Sequence, residues 1–166
     1  MKTDTSQRQS VETFEISKEI EISAPIEIAF EATLDQLGPE GQMPGGKPFP
    51  MKIEAWPGGR WYRDLGDLGN NSGHLWGHVQ VIKPPTLLEI CGPLMMSYPA
   101  ANHLQYRLKA EGGVTRLAFL HRAMGSILPE LRDGMPKGWA HWLERIRDLA
   151  ERKAGAHRGG DKPPRR

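Results

Sequence analysis

Two stretches of alternating polarity meet at a pair of glycines. In HLQYRLKA, residues 103–110, and TRLAFLH, residues 115–121, every second side chain faces an apolar side, and Gly112 and Gly113 stand between the two. Alternation is the period of a strand with one buried face. A Gly-Gly pair suits a hairpin turn in which both central residues take positive φ. The segment therefore demands an antiparallel hairpin, with Leu104, Tyr106 and Leu108 inward on one strand and Leu117, Phe119 and His121 inward on the other. His121 is the polar exception on that face.

The same period recurs upstream. FEISKEIEIS places Phe14, Ile16, Ile20 and Ile22 on one side and Glu15, Ser17, Glu19 and Glu21 on the other, with Lys18 interrupting the apolar row. Ser23 as N-cap and Pro25 in the first turn then introduce a helix carrying Ile26, Ala29, Phe30, Thr33, Leu34 and Leu37 on one face and ending by Gly38. Residues 38–50 are rich in Pro and Gly and read as a loop or a broken short helix that could cover a cavity mouth. MKIEAW (51–56), RWYRDL (60–65), HLWGHVQVIK (74–83) and TLLEICG (86–92) read as further strands, the third with Leu75, Gly77, Val79 and Val81 inward and stopped by Pro84 and Pro85. Residues 92–102 form a long connection exposing Met95, Met96 and Tyr98. GWAHWLERIRDLAERK, residues 138–153, repeats Trp139, Trp142, Leu143, Ile146, Leu149 and Ala150 along one helical face, with Arg147 and Glu151 as an i,i+4 pair opposite. Strand, helix, a run of strands and a long helix make an α+β domain of six or seven strands.

At 166 residues the chain has the length of one domain. No run approaches a membrane span, the polar start offers no apolar core for a signal peptide, and the single cysteine, Cys91, can form no internal disulfide. The expectation is a cytoplasmic protein without a membrane partner. The net charge of +2 is uneven: residues 152–166 carry +5, leaving the remainder at −3. A nucleic-acid partner is thus not expected apart from the basic tail. Residues 1–13 and 154–166 read as disordered tails around an ordered domain at 14–153.

Several residues invite chemistry. His74 and His78 would suit one metal ion on a helix, but on a strand they lie ~13 Å apart and face outward, so no metal is expected. Cys91 faces outward with no cation beside it in sequence. The inward register contains no carboxylate to partner His121, so no catalytic residue and no cofactor are expected. His121 needs a backbone, water or ligand partner, because an unpaired buried polar group costs ~1–3 kcal/mol. Met95 and Met96 offer an adaptable apolar surface for a lid or a partner contact.

Five stretches in order carry a resemblance: EIEISAPIEIAFEATLD after the first strand begins, PGGRWYRD (57–64), GHVQVIKPPTLLE (77–89), LAFLH ending at His121, and GWAHWLERIRDL (138–149). Over about residues 14–152 the chain resembles the SRPBCC, or START-like, helix-grip superfamily, within the group named for the activator of the heat-shock-protein ATPase. The resemblance implies a curved antiparallel sheet gripping the long C-terminal helix, with an apolar cavity between them. Many relatives have a short helix and an aromatic-rich stretch where this chain has the loop at 38–50. The expectation that follows is binding of a small hydrophobic or amphipathic molecule, lined by Trp61, Arg63, Val79, Tyr106, Phe119, His121, Trp139 and Leu143. The alternatives are a chaperone-activator-type interaction module, with a chaperone or other protein as partner, and a cyclase- or hydratase-like enzyme. Monomer and homodimer both remain open.

Overall fold

The computed structural model describes residues 10–66, 71–95 and 99–159. The elements run β1 (Glu12–Ile22), α1 (Ile26–Leu37), β2 (Lys52–Ile53), β3 (Arg60–Asp64), β4 (Gly73–Lys83), β5 (Leu87–Gly92), β6 (Ala100–Glu111), β7 (Val114–Gly125) and α2 (Pro129–Gly159). The seven strands form one antiparallel sheet in the order β1-β7-β6-β5-β4-β3-β2. β1 thus closes against the last strand, and the helices cover the concave face.

The hairpin of β6 and β7 is as the alternation requires: Glu111 pairs with Val114 across Gly112 and Gly113, whose φ angles are 60° and 89°. Ile16 and Leu104 flank His121 in register, and Lys18 and Tyr106 flank Phe119. The opposite, convex face is laced with ion pairs such as Glu15–Arg122 at 2.7 Å and Glu19–Arg116. These are exposed and add little stability.

Five sequence expectations need correction. Pro25, not Ser23, caps α1; its carbonyl accepts the Ala29 N–H at 3.0 Å, and the Ser23 N–H donates instead to Glu151 Oε1 at 2.9 Å. That bond gives Glu151 a tertiary partner in place of the expected contact with Arg147. The strand read at 51–56 shortens to Lys52–Ile53 because the chain turns at once: Glu54 caps the turn, its carboxylate accepting from the backbone N–H of Arg60 at 2.9 Å and from its guanidinium at 2.7 Å. These bonds hold the Glu54 carboxyl down at about 2. In β4 the register slips between Trp61 and Tyr62 of β3, which pair with Gly77 and Leu75, so Trp76 turns into the core at 6% exposure while Leu75 stands 46% exposed. A second irregularity between Val79 and Val81 leaves Val81 only half-buried. A bulge adds a residue and re-aims the side chain beside it, which period-two reading cannot foresee.

The last two corrections concern the ends of the domain. β1 starts at Glu12, whose carboxylate accepts from Arg132 at 2.6 Å. α2 starts nine residues before Gly138, at Pro129, and runs on to Gly159, so residues 154–159 are helical rather than a tail. Lys153 anchors that end through Asp35 at 2.6 Å and Glu31 at 2.9 Å of α1, and Ala154 is buried. At the other end α2 passes through Gly134, Pro136 and Gly138, three poor helix formers. Burial overrides them, because Leu131, Met135, Trp139 and Trp142 recur on one face and pack against the core. Among the described residues no helix is long and apolar enough to cross a membrane.

Candidate ligand-binding site

Three segments converge beside the first half of α2. Residues 38–50 cross over it, held by Phe49 N–H to the Gly41 carbonyl at 2.8 Å and Met51 N–H to the Gly38 carbonyl at 2.9 Å. β4 contributes the bulged Trp76, and Met95 follows β5. Between them lies a pocket of about 300 Å³ lined by Met43, Pro44, Phe49, Trp76, Met95, Glu130, Leu131, Gly134, Met135, Gly138, Trp139 and Trp142. Among the described residues Glu130 is its only ionisable side chain.

The aromatic walls are braced from behind. Trp76 meets Phe49 at 5.8 Å and Trp61 at 5.1 Å between ring centroids. Trp61, fully buried, donates its indole N–H to the Leu37 carbonyl at 2.7 Å, satisfying an acceptor at the C-terminal end of α1. The Arg63 guanidinium lies over the Phe49 ring, 3.9 Å from its centroid, a cation–π contact that pins the loop.

Trp139 links the pocket to His121. The indole N–H donates to His121 Nδ1 at 3.0 Å, which makes Nδ1 an acceptor and places the imidazole proton on Nε2. Nε2–H then donates to Asn102 Oδ1 at 2.8 Å, and the Asn102 amide donates to the carbonyls of Gly92 and Pro93 at 3.2 and 3.3 Å. Phe14 packs edge-on to the imidazole at 5.1 Å. Burial first, and the nearby His103 second, push the His121 pKa down to about 4. His121 is therefore neutral at pH 7.

The middle of the grip is packed. Val79, Tyr106, Phe119, His121 and Leu143 are buried in it, with Phe119 4.8 Å from Trp139 and 5.0 Å from Tyr106. The Tyr106 hydroxyl is buried with no hydrogen-bond partner among the described residues, and burial raises its pKa. Of the eight residues expected to line a cavity, Trp139 borders the pocket; Trp61, Phe119 and His121 stand one layer behind its walls, and Arg63 braces Phe49. The main lining comes from residues whose sequence context gave no period to read: the loop, the bulged Trp76, and the Gly/Pro-interrupted start of α2. Met95 sits at the rim, 43% exposed, whereas Met96 and Tyr98 lie outside the described residues. His74 and His78 are exposed on β4. Cys91 is half-buried on the convex side and donates to Gln80 Oε1 at 2.6 Å, with burial raising its pKa.

A wider groove of about 900 Å³ lies at one end of the sheet, near Cys91 and Arg122. It is larger but shallower, and its charged lining residues Glu15 and Arg122 already satisfy each other at 2.7 Å. The pocket against α2 is the better ligand site because its walls are apolar and converge.

No family model matches the chain, and no curated protein matches it. Solved structures do. A protein from Rhizobium leguminosarum aligns at 20% identity over 86% of this chain and 97% of that one, with a TM-score of 0.63. The Aha1 dimer from Colwellia psychrerythraea aligns at 16% identity over 83% and 96%, with a TM-score of 0.59. The di-domain aromatase/cyclase StfQ of the steffimycin biosynthetic pathway aligns at 12% identity over 86% of this chain and 52% of that one, with a TM-score of 0.60. The fold is thus a helix grip, an antiparallel sheet around a long C-terminal helix. It is an architecture this chain has in common with the Aha1 and StfQ structures.

Proposed function

We propose that the chain binds a small hydrophobic or amphipathic molecule in the pocket between the sheet and α2. The observation that carries this reading is the pocket itself. Here about 300 Å³ stays open among apolar groups while the rest of the grip is filled. That volume is at the small end of the range for ligand sites, ~300–1,000 Å³.

Two details support it. Gly134 and Gly138 stand in a helix, where each costs ~1 kcal/mol relative to alanine. A Cβ added at either would touch nothing within 4 Å, so packing does not require glycine there, and the two glycines leave the space in front of the helix wider. The chain Trp139–His121–Asn102, in turn, fixes the angle of one wall. His121 acts in this reading by positioning the indole rather than by touching the ligand. With Glu130 as the sole ionisable lining group among the described residues, those residues offer no paired acid and base of the kind general acid–base catalysis needs. A lone cysteine suits a reducing, cytoplasmic setting.

The second reading, a protein-interaction module, draws on Met43, Met95 and Leu128, which are 39%, 43% and 48% exposed. Titration of the full chain with the neutral probe N-phenyl-1-naphthylamine, read by energy transfer from tryptophan, tests the first. Saturable one-to-one binding that Gly138→Leu abolishes with the far-UV spectrum unchanged supports it. Absence of saturable binding to the wild-type chain contradicts it and leaves the interaction reading.

A further inference from the structure

A row on α2 repeats every fourth residue as Glu130, Gly134, Gly138, Trp142, and all four line the pocket. Positions four apart are neighbours on a helix, and the row they form winds ~120° about the axis from Glu130 to Trp142. The two glycines therefore leave a trough in the helix surface, open at a carboxylate and closed at an indole. Twelve steps of ~1.5 Å give the row an axial span of ~18 Å. This is the length of an extended small amphiphile rather than of a compact ring.

Among the described lining residues the charge at the mouth has one sign. Glu130 is exposed and forms no ion pair or hydrogen bond with a described residue, unlike Glu12, which already holds Arg132 at 2.6 Å. Among the described residues no lysine, arginine or histidine lines the pocket. Arg63 lies over Phe49, outside the lining. The positive end of the α2 dipole also lies here, but it amounts to about half a charge, which a full carboxylate in the first turn outweighs. The field at the mouth thus favours a cation, and an anionic head would meet Glu130.

From this geometry we infer that the ligand is an amphiphilic cation, an amine or quaternary ammonium head at Glu130 with its apolar chain lying along Gly134 and Gly138 toward Trp142. The inference rests on the binding reading above and adds the sign of the head group and the lie of the chain. Met43 and Met95 at the rim supply adaptable apolar contact for the chain as it enters.

Calorimetric titration of the full chain with octyltrimethylammonium, 1-octanol and octanoate tests it, because the three share one chain and differ in head group. The expected result is that the cation binds at least about tenfold more tightly than octanoate and several-fold more tightly than octanol, with a lead that shrinks as salt is raised. Glu130→Gln should bring cation and octanol to within about twofold while leaving octanol affinity unchanged, and Gly138→Leu should abolish binding of both. Octanoate binding best, or a cation preference untouched by Glu130→Gln, overturns the inference. Equal binding of octanol and cation to the wild-type chain overturns it too but leaves the binding reading standing. If none of the three binds, both fall.

Discussion

The indole N–H of Trp139 donates to Nδ1 of His121 at 3.0 Å, joining the gripped helix to the strand that lies opposite it. One proton on one imidazole nitrogen settles the chain from α2 to the β5 end. Trp139 must donate, so His121 must accept on Nδ1 and donate from Nε2, and Asn102 must turn its oxygen toward the imidazole and its amide toward Gly92 and Pro93.

His121→Phe should therefore fold but lose stability. The phenyl ring fills the space yet leaves the Trp139 N–H buried without its acceptor, a loss of about 1–3 kcal/mol. Pocket affinity for a neutral probe should change less than about threefold, because His121 does not line the pocket. Urea unfolding and the probe titration, run on both proteins, check the two halves. A variant as stable as wild type would refute the network.

The same network makes stability depend on pH. The neutral imidazole is favoured in the folded chain, where its pKa is about 4, while the unfolded chain has the ordinary value of 6.5. This contribution is complete above 6.5 and is lost as pH falls toward 4, because the unfolded chain takes up the proton first. Between pH 7.5 and 4.5, wild type should lose about 2–3 kcal/mol more than His121→Phe. Parallel losses in the two proteins would show that another group governs the acid limb.

The glycines of α2 separate stability from binding. Gly134→Ala and Gly155→Ala each meet open space, so each should raise stability by about 0.5–1 kcal/mol through helix propensity. Only the first lines the pocket, so only Gly134→Ala should weaken probe binding. Thermal melting and titration compare them; equal effects on binding would mean that the trough plays no part.

Gly77 and Gly92 let β4 and β5 approach where the sheet bends. A Cβ at Gly92 would lie 2.3 Å from the Gly77 Cα and 2.4 Å from the Trp76 carbonyl oxygen, both backbone. Gly92→Ala should thus cost about 1–3 kcal/mol by overpacking and loosen the bulge that aims Trp76 at the pocket. Urea unfolding checks the cost, and energy transfer to the probe checks the wall.

Much of the fold was legible because its signals are local. The period of two in β1, β6 and β7, the glycine pair between the last two, and the apolar stripe from Trp139 to Ala150 each follow from one buried face. The site was less legible because its causes are not local. Trp76 faces inward through a bulge that only the pairing with β3 reveals. Residues 129–137 are helical because Leu131 and Met135 are buried, against the preferences of Gly134 and Pro136. The wall formed by Met43, Pro44 and Phe49 belongs to a segment without periodicity. His121 was visible as a misfit on an apolar face, but its partners Asn102 and Trp139 are 19 and 18 residues away, and only the folded chain brings them together.

The central claim is that the trough along α2 holds a small molecule, and native mass spectrometry of the full chain purified from its own host tests it most directly. The wild-type chain should carry a discrete added mass of a few hundred daltons, the size that about 300 Å³ admits. Gly138→Leu, folded by far-UV circular dichroism, should carry none. A bare wild-type chain, or an added mass that persists undiminished in Gly138→Leu, would contradict it.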